Sequence, residues 1–162
     1  MGHRELLLTL GALVIFSITS FSINRNMIRN SDASYAQQAQ FLAYNQAQEL
    51  IEKAKTKAFA EEVIKGTVAD TSGFIALLGT DVSESYPNQL DDVDDYNNVN
   101  VTVADSVIGN TTMTVTVDYV DLADLATPLS QKTFYKLMQV TVTNQYLSNP
   151  MFARYIFAYQ KN

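Results

Sequence analysis

The sequence predicts an α+β protein: a long N-terminal α-helix over about 1–65, packed by its C-terminal half on an antiparallel β-meander of about four strands. Three observations carry that prediction. Residues 6–24 pass without a charge and are dominated by Leu, Val, Ile and Phe. Behind them Ala36, Ala39, Ala43, Ala47, Leu50, Ala54 and Ala58 recur at steps of three and four, which places them on one helix face. From residue 98 onward the apolar residues alternate with a period of two, the pattern of half-buried strands.

The apolar run comes first. A helix over 6–23 rises about 1.5 Å per residue and extends about 27 Å, close to the hydrocarbon thickness of a bilayer. Arg25 and Arg29 follow it, the flank expected at a membrane interface. A secretory signal peptide would stop at a small-residue cleavage site. Here the helical signal runs on, with neither Pro nor Gly between Gly11 and Gly66. Glu49–Lys53 and Glu61–Lys65 are i,i+4 pairs with the acid first, the more favourable order. Ile51, Phe59 and Val63 flank the Ala-rich stripe. The complete helix would be on the order of 90 Å long, wider than a domain built from the remaining residues. Its apolar half is therefore expected to project, covered by lipid or by other copies of itself.

Residues 66–98 read as a connecting region rich in Gly, Asp and Ser, with the short apolar run 74–78 folding back on the core. Strands are expected at 98–105, 112–120, 133–146 and 152–159. Val99, Val101 and Val103 share a face, as do Met113, Val115, Val117 and Tyr119, and then Phe134, Met138, Val140 and Val142. Gly109-Asn110 marks the first hairpin turn. The Ala-rich stripe is the natural cover for the apolar face of this sheet.

Charge is unevenly spread. The chain carries 17 acids against 11 Lys and Arg, yet residues 66–131 contain no base at all. That acidic middle repels phosphate, so no nucleic-acid partner is expected on it, and a solvated acidic surface is. Cysteine is absent, which excludes disulfides, thiolate metal sites and cysteine nucleophiles. The single histidine, His3, lies at the apolar end, and no glycine-rich phosphate loop occurs. An enzyme is not expected.

Glu5, at the lip of an uncharged helix, carries a family resemblance. The N-terminus resembles that of type IV pilins and pilin-like filament subunits, which share an apolar helix with a glutamate at the fifth mature position. Counting from Met1 puts Glu5 there; the expectation is that a short basic leader has been removed, leaving a processed, N-methylated Met1. The resemblance implies a homo-oligomeric helical filament outside the cell, in which residues 1–30 serve as membrane anchor and then as filament core. The remainder, 31–162, would be the globular pilin domain, with an amphipathic helix half, the connecting region 66–98 and a sheet over 99–160. It further implies a pilus assembly machinery, a prepilin peptidase and an inner-membrane stage before assembly. A carboxylate taken into hydrocarbon costs about 3 kcal/mol, so Glu5 needs a positive partner. The Met1 amine of a neighbouring subunit and Arg4 are the two choices. His3 and Arg4 depart from the family's uncharged start, and Ser22 stands where a proline is common. A locally melted stretch in the assembled filament would instead fall at 16–24, with Phe16, Ser17, Ser20 and Ser22 as the weak helix formers.

Two further clusters stand out. Asp91, Asp92, Asp94 and Asp95 are oxygen ligands spaced as Ca²⁺ would accept, although the EF-hand pattern fails for want of its glycine and final glutamate. A solvated acidic turn is the simpler expectation for them, with calcium as the only cofactor raised. Asn100 and Asn110 begin glycosylation sequons, a frequent chance match. Three functions stay open at this level: a major filament subunit, a minor pilin or secretion-system pseudopilin, and a single-span membrane protein displaying a binding domain.

Overall fold

The computed structural model describes residues 2–66, 68–80 and 84–160. Its elements, in chain order, are helix α1 (His3–Lys55), helix α2 (Glu61–Lys65), and strands β1 (Asn100–Asp105), β2 (Gly109–Asp121), β3 (Asp124–Leu129), β4 (Tyr135–Asn144) and β5 (Met151–Ala158). Two single 3₁₀ turns, Thr71–Gly73 and Asp94–Tyr96, interrupt the connecting region. The class is α+β, a long N-terminal helix packed on an antiparallel sheet. The chain forms two compact units, one ending at Gln38 and the other starting at Ala39.

In the first unit α1 is long and apolar enough to cross a membrane by length and composition. Its large side chains are exposed; Leu8 and Phe16 are 74% and 71% accessible. Three hydroxyls within it are satisfied by the helix itself. Thr9 donates to the Leu6 carbonyl at 2.9 Å, Ser17 to Leu13 at 2.8 Å and Thr19 to Ile15 at 2.8 Å. Such back-bonding lets a polar side chain sit in an apolar helix without an unmet donor.

In the second unit the small-residue stripe meets the sheet. Ala43, Ala47 and Ala54 are fully buried, with Leu50 and Ile51, against Met113, Val115 and Val117 of β2 and Met138, Val140 and Val142 of β4. Alanines let the helix backbone approach the sheet closely, and the β-branched residues opposite fill the remaining volume. Ala47→Leu should overpack this contact and cost about 1–3 kcal/mol. The check is a lower urea midpoint at unchanged m-value.

The sheet order is β1-β2-β4-β5, all antiparallel, with β3 pairing the far end of β2. Gly109 adopts a left-handed conformation (φ 72°) after the three-residue link 106–108, as a bulged hairpin requires. The Asp105 carboxylate tightens that link by accepting from Val107 N at 2.7 Å and Ile108 N at 3.0 Å. Where β1 begins, the Asn97 side chain replaces a strand: its Oδ1 accepts from Val117 N at 3.0 Å and its Nδ2 donates to Leu78 O at 3.0 Å.

Two expectations are revised. The helix ends at Lys55 rather than near 65. Ala58 leaves it to make a parallel bridge with Asp92, donating to Asp91 O at 3.1 Å and accepting from Val93 N at 3.0 Å. Those tertiary bonds outweigh the local helix preference of Ala and Lys, and helix resumes only as the one-turn α2. The meander has five strands, because 124–129 doubles back on β2. At the sheet edge β5 is held by its pairing with β4 and by Phe157 and Tyr159, while Phe152 is 55% exposed.

Candidate functional site

The N-terminal end is simple. Gly2 precedes the first helical residue, and Glu5, in the first turn, accepts a hydrogen bond from the Gly2 N–H at 3.2 Å. This is half of a capping box: a glutamate reaching back to the otherwise orphaned donor at the helix start, where its charge also suits the helix dipole. Glu5 and Arg4 are both exposed, and no ion pair joins them among the described residues. Met1 lies outside the described residues. Phe16, Ser17, Ser20 and Ser22 all sit in unbroken helix. Asn100 and Asn110 are exposed on β1 and β2.

The acidic cluster departs from the expected solvated turn. Asp92, Asp94 and Asp95 are buried, each no more than 3% accessible, while Asp91 is exposed. Burial is possible because the carboxylates of Asp92 and Asp95 serve the backbone of the 3₁₀ turn Asp94–Tyr96 and of the residues just before it. Asp92 Oδ1 accepts from Asp94 N at 2.6 Å and Asp95 N at 3.2 Å. Asp95 Oδ2 accepts from Asp91 N at 3.0 Å and Asp92 N at 3.1 Å. The four aspartates do not form one ligand set. Asp91 and Asp92 approach Glu61, and Asp91 and Asp95 approach Glu84, each trio with its oxygens within 4.8 Å. Asp94 belongs to neither.

Asp94 instead meets Lys136, the residue that strand reading passed over. Lys136 faces Tyr119 across the β2–β4 pair and is wholly inaccessible. Its ammonium contacts Asp94 Oδ1 and donates to the Phe59 carbonyl at 2.6 Å. It lies 4.2 Å from the centroid of the Phe59 ring and 5.2 Å from that of Tyr119, with Phe74 at 5.9 Å. Phe59, Phe74, Phe134 and Tyr159 pack around one another at centroid distances of 5.1–5.9 Å, closing the site against water. Asp94 Oδ2 and Glu62 Oε2 are buried and accept no hydrogen bond. The signal for Lys136 was present in the alternation: a register that turns Phe134, Met138, Val140 and Val142 inward turns residue 136 inward too.

Such burial favours neutral forms. It pushes the Asp94 carboxyl up to about 6 against the pull of Lys136, and pushes the Lys136 ammonium down against the pull of Asp94. Burial, reinforced by the charges of Asp94 and Asp95, raises Asp92 to about 7. Between its ordinary value of 3.8 and about 7 the folded chain therefore keeps a proton that the unfolded chain releases. Stability from this group must fall as pH rises through that window. The expected loss between pH 5 and pH 8 is about 3 kcal/mol. Urea midpoints at the two pH values measure it, and Asp92→Asn should flatten the dependence.

No family model, curated protein or solved structure matches this chain.

Proposed function

We propose that the chain is a structural subunit of an extracellular, type IV pilus-like helical filament, built through its N-terminal helix. The observation that carries this reading is the exposed apolar surface of α1, which runs from Leu6 to Ile23 and is interrupted only by small or uncharged polar residues. Water cannot be its lasting environment, because contiguous apolar patches of this size mark a membrane or protein interface. Lipid covers it before assembly and sister helices after, so burial is conserved while the subunit changes surroundings. The α+β unit with its acidic connecting region forms the coat. Assembly machinery, a prepilin peptidase and an inner-membrane stage belong to the same reading, as does a processed Met1.

A second reading draws on the Glu5–Gly2 bond. A carboxylate already engaged with its own helix start suits a single-span anchor for a displayed domain, which stays monomeric in detergent. Negative-stain microscopy of sheared cell-surface material, with mass spectrometry of the polymer, decides between them. Filaments composed of this polypeptide support the proposal; detergent-bound monomers at concentrations far above those of polymerising subunits sink it.

A further inference from the structure

We propose that Lys136 and Asp94 condense within the folded chain to an internal amide, a covalent staple between the connecting region and β4. The inference rests on the buried contact between the two side chains and is independent of whether the subunit polymerises.

Three features of the site support the reaction. The nucleophile and electrophile are held in contact, which supplies the proximity that makes an otherwise slow amide formation feasible. The surroundings are dry and aromatic, so that charge separation is penalised and the reactive pair, a free amine and a protonated carboxyl, gains population at the expense of the ion pair. The role of proton carrier is assigned to Glu62: its charge acts on both Asp94 and Lys136, and its Oε2 is buried with no hydrogen-bond partner among the described residues.

The chemistry balances without any co-reactant. The Nζ lone pair of neutral Lys136 adds to Cγ of the protonated Asp94 carboxyl. Glu62 takes a proton from the nitrogen and delivers it to the carboxyl hydroxyl. The Cγ–O bond breaks, water leaves, and the C–N bond of an amide remains; Glu62 returns to its starting state. Water once expelled from a closed aromatic site has no ready path to reverse the step. The product ties residues 94 and 136 in a chain that has no cysteine for a disulfide.

The test is peptide mapping of the full-length chain purified in detergent. After digestion, a branched peptide joining Asp94 to Lys136, lighter by one water than its two parts and uncut by trypsin at Lys136, is the expected result. Fragmentation locates the branch. Recovery of Lys136 and Asp94 only in separate linear peptides overturns the proposal, as does a branch at Asp92 or Glu62. The wild-type measurement stands even where a variant fails to fold. Glu62→Gln addresses the proton carrier: the branched fraction formed with time after refolding should fall at least tenfold, with the far-ultraviolet spectrum unchanged. An unchanged rate removes Glu62 from the mechanism.

Discussion

Measured against the parent chain before any condensation of Asp94 with Lys136, Asp94→Ala is expected to lower the stability of the unit that starts at Ala39 by about 3–5 kcal/mol, a large share of a typical domain's total. The substitution leaves the Lys136 amine sealed among aromatic rings, with the Phe59 carbonyl as its one hydrogen-bond partner among the described residues. The buried cation then loses its contacting counter-charge and keeps only the weaker pull of Asp92 and Glu62, so it must either lose its proton or draw water into the site. The loss of a few side-chain atoms contributes less, since the carboxyl group that Ala lacks is small. A double-mutant cycle separates the two effects. Lys136→Met places an apolar chain of similar length in the same aromatic surroundings, so the double variant should recover a substantial part of what Asp94→Ala loses. Denaturant unfolding of the four proteins gives the coupling. A single-variant loss below about 1 kcal/mol would mean that Lys136 reaches solvent, contrary to its complete burial.

The same site shows where sequence reading stopped. The Ala-rich stripe, the Glu49–Lys53 and Glu61–Lys65 pairs (2.7 and 2.8 Å) and the alternating faces of β2 and β4 are local periodicities, and each is realised in the fold. Four clustered aspartates, by contrast, read locally as solvated. The burial of three of them, Asp92, Asp94 and Asp95, depends on a lysine 42 positions away from Asp94 in sequence and on backbone N–H groups presented by a turn that only the fold creates. The end of α1 is a similar case: Ala and Lys at 54–58 are strong helix formers, and what draws Ala58 out is its bridge to Asp92. β3 went unrecognised because all of its residues are exposed and it contains Pro128, which strands accept at an edge. At the N-terminus the reach of sequence was different. Glu5 was visible as an anomaly, while its bond to Gly2 depends on the helix beginning at His3.

That bond makes Glu5 the sharpest test of the filament reading, because a cap and an intersubunit ion pair ask different things of the side chain. A cap needs only an acceptor oxygen for the Gly2 N–H; Glu5→Gln keeps it and Glu5→Ala removes it. An ion pair needs the charge, which both variants remove. Within the covered core of a polymer, losing that charge leaves the partner's cation without a counter-ion, a penalty of about 3 kcal/mol per subunit, or roughly a 100-fold rise in the subunit concentration needed for polymerisation. Neither variant should disturb the β-containing unit, since both hydrophobic core clusters draw on residues from Ala43 onward and exposed substitutions usually stay within about 0.5 kcal/mol. The expected result is therefore that Glu5→Gln and Glu5→Ala lose filaments alike while thermal unfolding of each subunit matches the parent. Should Glu5→Gln assemble as well as the parent, the carboxylate is a helix cap and the pairing that fixes axial register must be sought elsewhere, with Arg4 the next residue to replace.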